Sequence, residues 1–372
     1  MKRILAVLSI ALISCAIGCL SEVTEPSDPY VGRPIRNIST LVSSLAKTLD
    51  WCPANNLIAF ERFGADGYVD IYVLDPENSQ NRTLTDGNPL CPQKSNGNSA
   101  WHPSGEYIVF TAEKPSNPAT LRREATPGSG YNCDLWLTSA DGVAFCQLTD
   151  YPLYSRAVIH PHFSHDGDKL LWAERLGKSS GSEWGEWALK IADFAVGANG
   201  PSLSNVQTYQ PGQHHYFYES HCFDSDDTRI LYSANSDGQS DSGFDIYEMS
   251  LTTGETTGLT HTPNDWDEHA HYSPDGKYIA WMSATGLGIN ITSVGDYAWE
   301  EQLVTDLWLM NSSGTGKQRL TYFNGDGYAE SLGGKRAIVS DMTWSPDGKK
   351  LAVLVGLPDS PEKSSVFLVE LR

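Results

Sequence analysis

Seven of the ten histidines stand just ahead of short segments led by an aromatic residue. His160 and His162 fall in IHPHFSHDG, His214, His215 and His221 in GQHHYFYESHCFDSDD, and His269 and His271 in DEHAHYSPDG. On a β-strand, residues i and i+2 point to one face, so 160 with 162 and 269 with 271 should each project together. Counted back from Phe163 and Tyr272, the two pairs occupy the same two places, and His221 stands one place off relative to Phe223. Neutral imidazole is the commonest ligand of transition ions. His160, His162, His221, His269 and His271 are therefore the candidate ligands of a divalent manganese, zinc or iron ion. Glu219, Glu268, Asp265 and Asp267 lie close enough in sequence to complete a shell or orient the rings. Two other readings stand beside this one: imidazoles that only bond the backbone of a neighbouring unit, with no metal, and catalysis at the same place. No residue is assigned a catalytic role.

Rings from distant stretches meet only if a repeating scaffold brings them together. Six segments align: WCPANNLIAF, WHPSGEYIVF, FSHDGDKLLW, FDSDDTRILY, YSPDGKYIAW and WSPDGKKLAV. Trp51, Trp101, Phe163, Phe223, Tyr272 and Trp344 lead them, and nine residues later stand Phe60, Phe110, Trp172, Tyr232, Trp281 and Val353. Their polar centres are turn chemistry, so each is a hairpin. An alternating strand follows each one (VDIYVLD, CDLWLTS, EWALKIAD, FDIYEMS, TDLWLMN, SVFLVEL), and after the first five comes a short outer strand such as NRTLT or KQRLT. The sixth unit lacks that last strand, and IRNIS, from Ile35 to Ser39, has the right character to supply it. An open ring would leave a sheet edge bare. The expected fold is all-β: a six-bladed β-propeller of four-stranded blades over residues 34–372, closed by an N-terminal strand. The first strand of each blade would then run along the central channel, with its beginning near one mouth. That would aim the imidazoles of three consecutive blades at one region.

SPDG hairpins, DIY or DLW strands and LT ends resemble the WD40-like (PD40) repeats of TolB-type propellers, the periplasmic partners of the Tol–Pal system in bacterial envelopes. The resemblance implies architecture and an envelope setting more than an activity. Similar repeats build the propellers of prolyl oligopeptidase-type enzymes, whose catalytic serine sits in a separate hydrolase domain; the chain ends with its sixth unit, and no such domain is expected. IHPHFSHDGDKLLWAE and EHAHYSPDGKYIAWMS are also similar to the His-x-His segment of oligogalacturonate lyases. That likeness implies a propeller holding manganese on histidines and breaking a uronate chain by β-elimination.

Composition narrows the partners. With 46 acidic against 26 basic side chains the formal charge is −20, which repels nucleic acid and polyanionic surfaces. Residues 1–19 read as a lipoprotein-type signal peptide: MKR, the apolar ILAVLSIALIS, then LISC and AIGC. Cys19 is the expected acylated residue and Cys15 the alternative, with 20–33 as a polar tether. Export permits disulfides, and the expected pairs are Cys133 with Cys146 and Cys52 with Cys91. The Trp-bearing inserts GKSSGSEWGEW and ATGLGINITSVGDYAWEEQLV offer contact surfaces. Together these features point to a monomeric envelope propeller, periplasmic or at the cell surface, that meets the membrane only through its lipid. It would bind a protein, a peptide or a glycan at the channel mouth. The alternative is a metal-dependent carbohydrate-active lyase or hydrolase working at His162, His221, His269 and His271.

Overall fold

The computed structural model describes residues 30–43, 46–212, 216–289, 302–360 and 363–372. Strand β1 (Ile35–Ser43) is followed by five complete blades: β2–β5 (Ala46–Trp51, Ile58–Phe63, Val69–Leu74, Asn81–Thr83), β6–β9 (Asn96–Trp101, Tyr107–Glu113, Cys133–Ser139, Phe145–Gln147), β10–β13 (Ala157–Phe163, Lys169–Gly177, Glu186–Gly197, Gly200–Tyr209), β14–β17 (Tyr218–Phe223, Arg229–Ala234, Asp245–Ser250, Thr256–Gly258) and β18–β21 (Asp267–Tyr272, Tyr278–Ser283, Asp306–Asn311, Gln318–Arg319). The sixth blade comprises β22 (Ile338–Trp344), β23 (Lys350–Leu357), β24 (Lys363–Leu371) and, outermost, β1. The ring closes as expected: β1 runs antiparallel to β24 from Ile35↔Leu371 to Ser43↔Ser365. The Arg372 amide donates to Pro34 O at 3.0 Å, and Arg33 caps the join through the Leu320 carbonyl at 2.8 Å and the Glu330 carboxylate.

Two recurring motifs have a physical basis. In the Ser-x-Asp-Gly turns the serine hydroxyl donates to the aspartate (Ser164–Asp166 2.6 Å, Ser273–Asp275 2.7 Å, Ser345–Asp347 2.7 Å), and the glycines 167, 276 and 348 take φ of +79°, +68° and +68°. Only glycine enters that region without strain. The Asp of the third strand and the Thr of the Leu-Thr end form a clamp. Thr85, Thr260 and Thr321 donate to Asp70, Asp245 and Asp306 at 2.7, 2.7 and 2.9 Å, while each threonine oxygen accepts the amide of Ile71, Ile246 or Leu307. Each clamp pins an outer strand of two or three residues that could not hold itself.

The apolar core lies between blades. Ile71, Ile108 and Phe110 fill the wedge between blades one and two, Val109, Leu170 and Trp172 that between two and three, and Leu49, Phe60 and Leu354 that between six and one. Both faces of a blade are thus covered, and polar side chains are left for the axis. Among the described residues, one face of the disc carries the tight turns. The opposite face carries the longer loops, including 114–132 and 235–244, and the inner strands begin there.

Neither expected disulfide forms, and Cys52, Cys91, Cys133 and Cys146 carry free thiols. The β8–β9 register places Leu137 opposite Cys146, so Cys133 lies four residues away, about 13 Å along the strand and beyond the ~7 Å a bridge can span. Cys52 follows β2 on the turn face, with its sulfur beside Gly105. Cys91 precedes β6 on the loop face, its thiol donating to Asn88 O at 3.2 Å. The full length of an inner strand separates them.

Candidate metal centre in the channel

The inner strands are not regular. In β6, β10 and β18 the ladder slips between Gly97 and Ala100, Ile159 and His162, and Glu268 and His271. Asn98, His160 and His269 sit at these slips with φ of +48°, +48° and +53°. A bulge breaks the two-residue alternation, so His160 with His162, and His269 with His271, do not share a face by strand parity as expected. They nevertheless converge, because both strands carry the same bulge at the same place. His160 meets His269 with ring centroids 5.0 Å apart, and His162 meets His271 at 5.5 Å, although their blades are separated by blade four. His221 lies 5.8 Å from His269 and 6.3 Å from His271. All five expected imidazoles therefore gather in one polar cluster. His214 and His215 lie outside the described residues, as do Cys15 and Cys19.

The cluster has two levels. Nearer the loop face, Glu219 Oε1 lies 3.2 Å from His160 Nε2 and 3.4 Å from His269 Nε2, and the three atoms fall within 4.8 Å of one another. Glu219 is 4 % exposed, yet this oxygen makes no hydrogen bond. The distances are close to the edges of a tetrahedron, about 3.3 Å, around an ion with ligands at ~2.05 Å. His269 turns its Nδ1 towards Asp341 Oδ1 at 3.6 Å, the carboxylate–histidine arrangement that orients a metal ligand. Glu268 shares a hydrogen bond with Glu219 and accepts the Trp266 indole N–H. Two histidines and a carboxylate suit manganese, zinc or iron, and three protein ligands leave positions open to the channel. Deeper down, His271 Nε2 lies 3.8 Å from Asp341 Oδ1, with His162 alongside.

Electrostatics sort the rings. Burial, then the charge on His269, holds His160 well below the ordinary imidazole range, and burial followed by His269 and His271 does the same to His221, whose Nε2 is 2.6 Å from Ser233 Oγ. Burial and His271 bring His162 down to about 3. Burial opposes charge on His269 and His271 too, but Glu219 and Asp341 raise the first, and Asp341 with Cys222 push the second up to about 10. Burial opposes ionisation of Asp341 as well, but the two histidines hold its carboxyl far below the usual range. Burial raises Glu219, and burial plus the Glu219 charge raises Glu268 further, so Glu268 keeps the shared proton. Glu219 and Asp341 thus favour the protonated forms of His269 and His271, and metal binding at His269 would compete with its proton.

Asp265 and Asp267 do not join. Asp265 accepts from Thr285 at 2.8 Å, and Asp267 from the Trp281 indole at 3.1 Å. Asp341 was missed, although it stands three residues before Trp344, as His160 and His269 stand before their own anchors. Asp50, one residue before its anchor like His162 and His271, latches blade two through the Trp101 amide at 2.5 Å. Glu61 does so through Ser99 N at 2.8 Å, while its other oxygen accepts Thr48 N at 2.9 Å within blade one. In the insert of blade three, Trp184 is tied down, its indole donating to Asp241 O at 2.5 Å. The insert's Gly-Lys-Ser-Ser-Gly string, 177–181, leads into another strand and not into the helix a nucleophile elbow requires. Most of the other insert, 290–301, lies outside the described residues.

Comparison with known proteins bears on the fold. No protein-family profile matches the chain. Dipeptidyl-peptidase 5 of Porphyromonas endodontalis is 54% identical over 39 residues, which is 10% of this chain and 6% of that protein's length. Among solved structures, a TolB-type protein from Agrobacterium tumefaciens superposes with a TM-score of 0.54 at 14% identity, covering 90% of this chain and 97% of its own. A gluconolactonase from Xanthomonas campestris gives 0.53 at 13% identity, covering 90% and 89%. An oligogalacturonate lyase from Vibrio parahaemolyticus gives 0.51 at 14% identity, covering 90% and 93%. At these identities the likeness concerns architecture: the chain shares the β-propeller fold of a TolB-type protein.

Proposed function

We propose that this is an exported envelope propeller that holds one divalent transition ion on His160, Glu219 and His269 and binds a peptide or glycan at the loop-face mouth. The observation that carries the metal is the buried Glu219 oxygen, unbonded and facing two imidazole nitrogens at ligand–ligand spacing. A buried carboxylate oxygen without a partner is costly unless something else satisfies it. Asp341 would orient His269, and Glu268 would hold Glu219 in place. The export signal read in residues 1–19 supports the envelope setting, and among the described residues no helix is long and apolar enough to cross a membrane. Elemental analysis of protein purified without chelator should find about one equivalent of manganese, zinc or iron. Less than about a tenth of an equivalent, after remetallation as well, would remove the metal. Pull-downs from envelope fractions that recover nothing specific would remove the binding role.

One observation favours a second reading, a carbohydrate lyase or hydrolase. His162, neutral at physiological pH, is partly exposed in the channel beside His271. When bound, the ion would polarise the group next to the reacting carbon. In a β-elimination His162 Nδ1 or Nε2 would take the proton beside the carboxylate, the C–H electron pair would form the new C=C bond as the glycosidic C–O bond breaks, and the imidazolium of His271 would give its proton to the leaving oxygen. Appearance of an unsaturated product from uronate oligomers, lost in His162→Ala, would establish this reading; no product would leave the binding role alone.

A further inference from the structure

Arg175 is a cation at the loop-face mouth with no carboxylate beside it among the described residues. It lies near the end of β11, paired with Ala157, three residues ahead of His160 along β10. Its Nε donates to Trp184 O at 3.0 Å and its Nη1 to Ser155 O at 3.0 Å, while the guanidinium stands 5.8 Å from the Tyr131 ring. Arg33, Lys114, Arg156 and Arg319 each face a carboxylate, and Arg62 and Arg122 lie flat over tyrosine rings at 3.8 Å. Arg175 has no such carboxylate among the described residues, and its contact with the Tyr131 ring is looser, at 5.8 Å, although the residue is half-buried. The loop is built around it: Gly185 takes φ +91°, and a Cβ there would sit 2.5 Å from Nε and 2.7 Å from Nη2. Three of its five N–H groups are left over, in the fork that matches a carboxylate. Next to the Ser155 carbonyl it holds, Tyr154 is 56 % exposed, on a backbone at φ +68° whose amide donates to Asn132 Oδ1 at 2.6 Å. A bulky residue in that strained region is a feature of binding sites.

We propose that Arg175 recognises the carboxylate of a short acidic sugar at the mouth, with the Tyr154 ring packing against the sugar face. This rests on the binding role proposed above and names the class of its ligand. The chain's charge of −20 disfavours long polyanions, so the ligand is an oligomer of a few units. Three residues of strand place Arg175 roughly 10 Å above the His160 level, one or two sugar units from the cluster.

Calorimetric titration with a galacturonic-acid trimer and with the neutral galactose trimer tests this, on wild-type, Arg175→Lys, Arg175→Gln and Tyr154→Ala proteins, each metal-loaded and metal-stripped. The wild type should prefer the acidic trimer about tenfold or more. Arg175→Gln should erase that preference, Arg175→Lys should reduce it without a change in melting temperature, and Tyr154→Ala should weaken both trimers alike. Four results would overturn the inference: no binding of the acidic trimer at about 10 mM; an unchanged preference in Arg175→Gln; a lower melting temperature as that variant's only change; or tighter binding of a glutamate-rich peptide than of the trimer. An Arg175-dependent preference that survives in stripped protein keeps this inference even if the metal centre fails.

Discussion

Replacing Glu219 by Gln should separate the metal centre from a merely structural cluster. The amide keeps the size of the side chain but removes the charge and the oxygen that faces His160 and His269 at 3.2 and 3.4 Å. An ion at a hundred times its dissociation constant stabilises the folded state by about 2.7 kcal/mol. A propeller spanning Ile35–Leu371 unfolds with an entropy of about 0.7 kcal/mol/K, so wild-type protein should gain about 4 °C in melting temperature. Loss of a ligating carboxylate should cost at least the ~100-fold that marks the upper end for supporting residues. At the same ion concentration the gain then drops to about 0.4 kcal/mol, less than 1 °C. Metal-free protein should respond in the other direction. Burial holds the Glu219 carboxyl above its ordinary range, so this group's contribution is present below the unfolded pKa and declines as pH rises through the folded one. The stripped variant should therefore be at least as stable as stripped wild type at pH 8. Scanning calorimetry with manganese, zinc or iron(II), against chelator, reads both effects. An equal metal-induced shift in the variant would refute the reasoning, as would no shift in the wild type with any of the three ions.

Glu61 is wholly buried and pushed up to about 7, chiefly by burial, so its contribution is complete below about pH 4.5 and is lost as pH rises through about 7. The swing is on the order of 3 kcal/mol, and Glu61→Gln should flatten the difference in unfolding free energy between pH 5 and pH 8 measured in denaturant. Trp172→Ala, at the interface of blades two and three, should lower stability by about 3–5 kcal/mol in the same assay. A chain starting at Ser44 lacks β1 and bares the edge of β24; size-exclusion chromatography should show it aggregated, and a cooperative monomer would contradict the closure. Thiol titration in denaturant of a chain starting at residue 30 should count the same five cysteines with and without reductant.

The fold was legible because it is written six times. Aromatic anchors nine residues apart, glycine where the turns need positive φ, and the Asp–Thr clamp are local features that recur, and each recurrence confirms the others. IRNIS was legible as the missing strand because ring closure is a counting argument. The cysteines were not, because pairing depends on register, and a hairpin with Leu137 opposite Cys146 differs from its mirror-symmetric alternative by only a few residues. Asp341 was within reach through its distance from Trp344, but one carboxylate in blade six carries no signal until the ring sets it beside His269.

Chain order alone determined the number of blades, the strap that joins the ends, and which imidazoles face the axis, because these follow from periodicity and short-range turn chemistry. The tertiary structure alone decided that a bulge, and not strand alternation, aims His160 and His269, that Glu219 and Asp341 complete their surroundings, and that Arg175 has no carboxylate beside it among the described residues. Such facts depend on distances between blades far apart in sequence, and only closure of the ring makes those distances short.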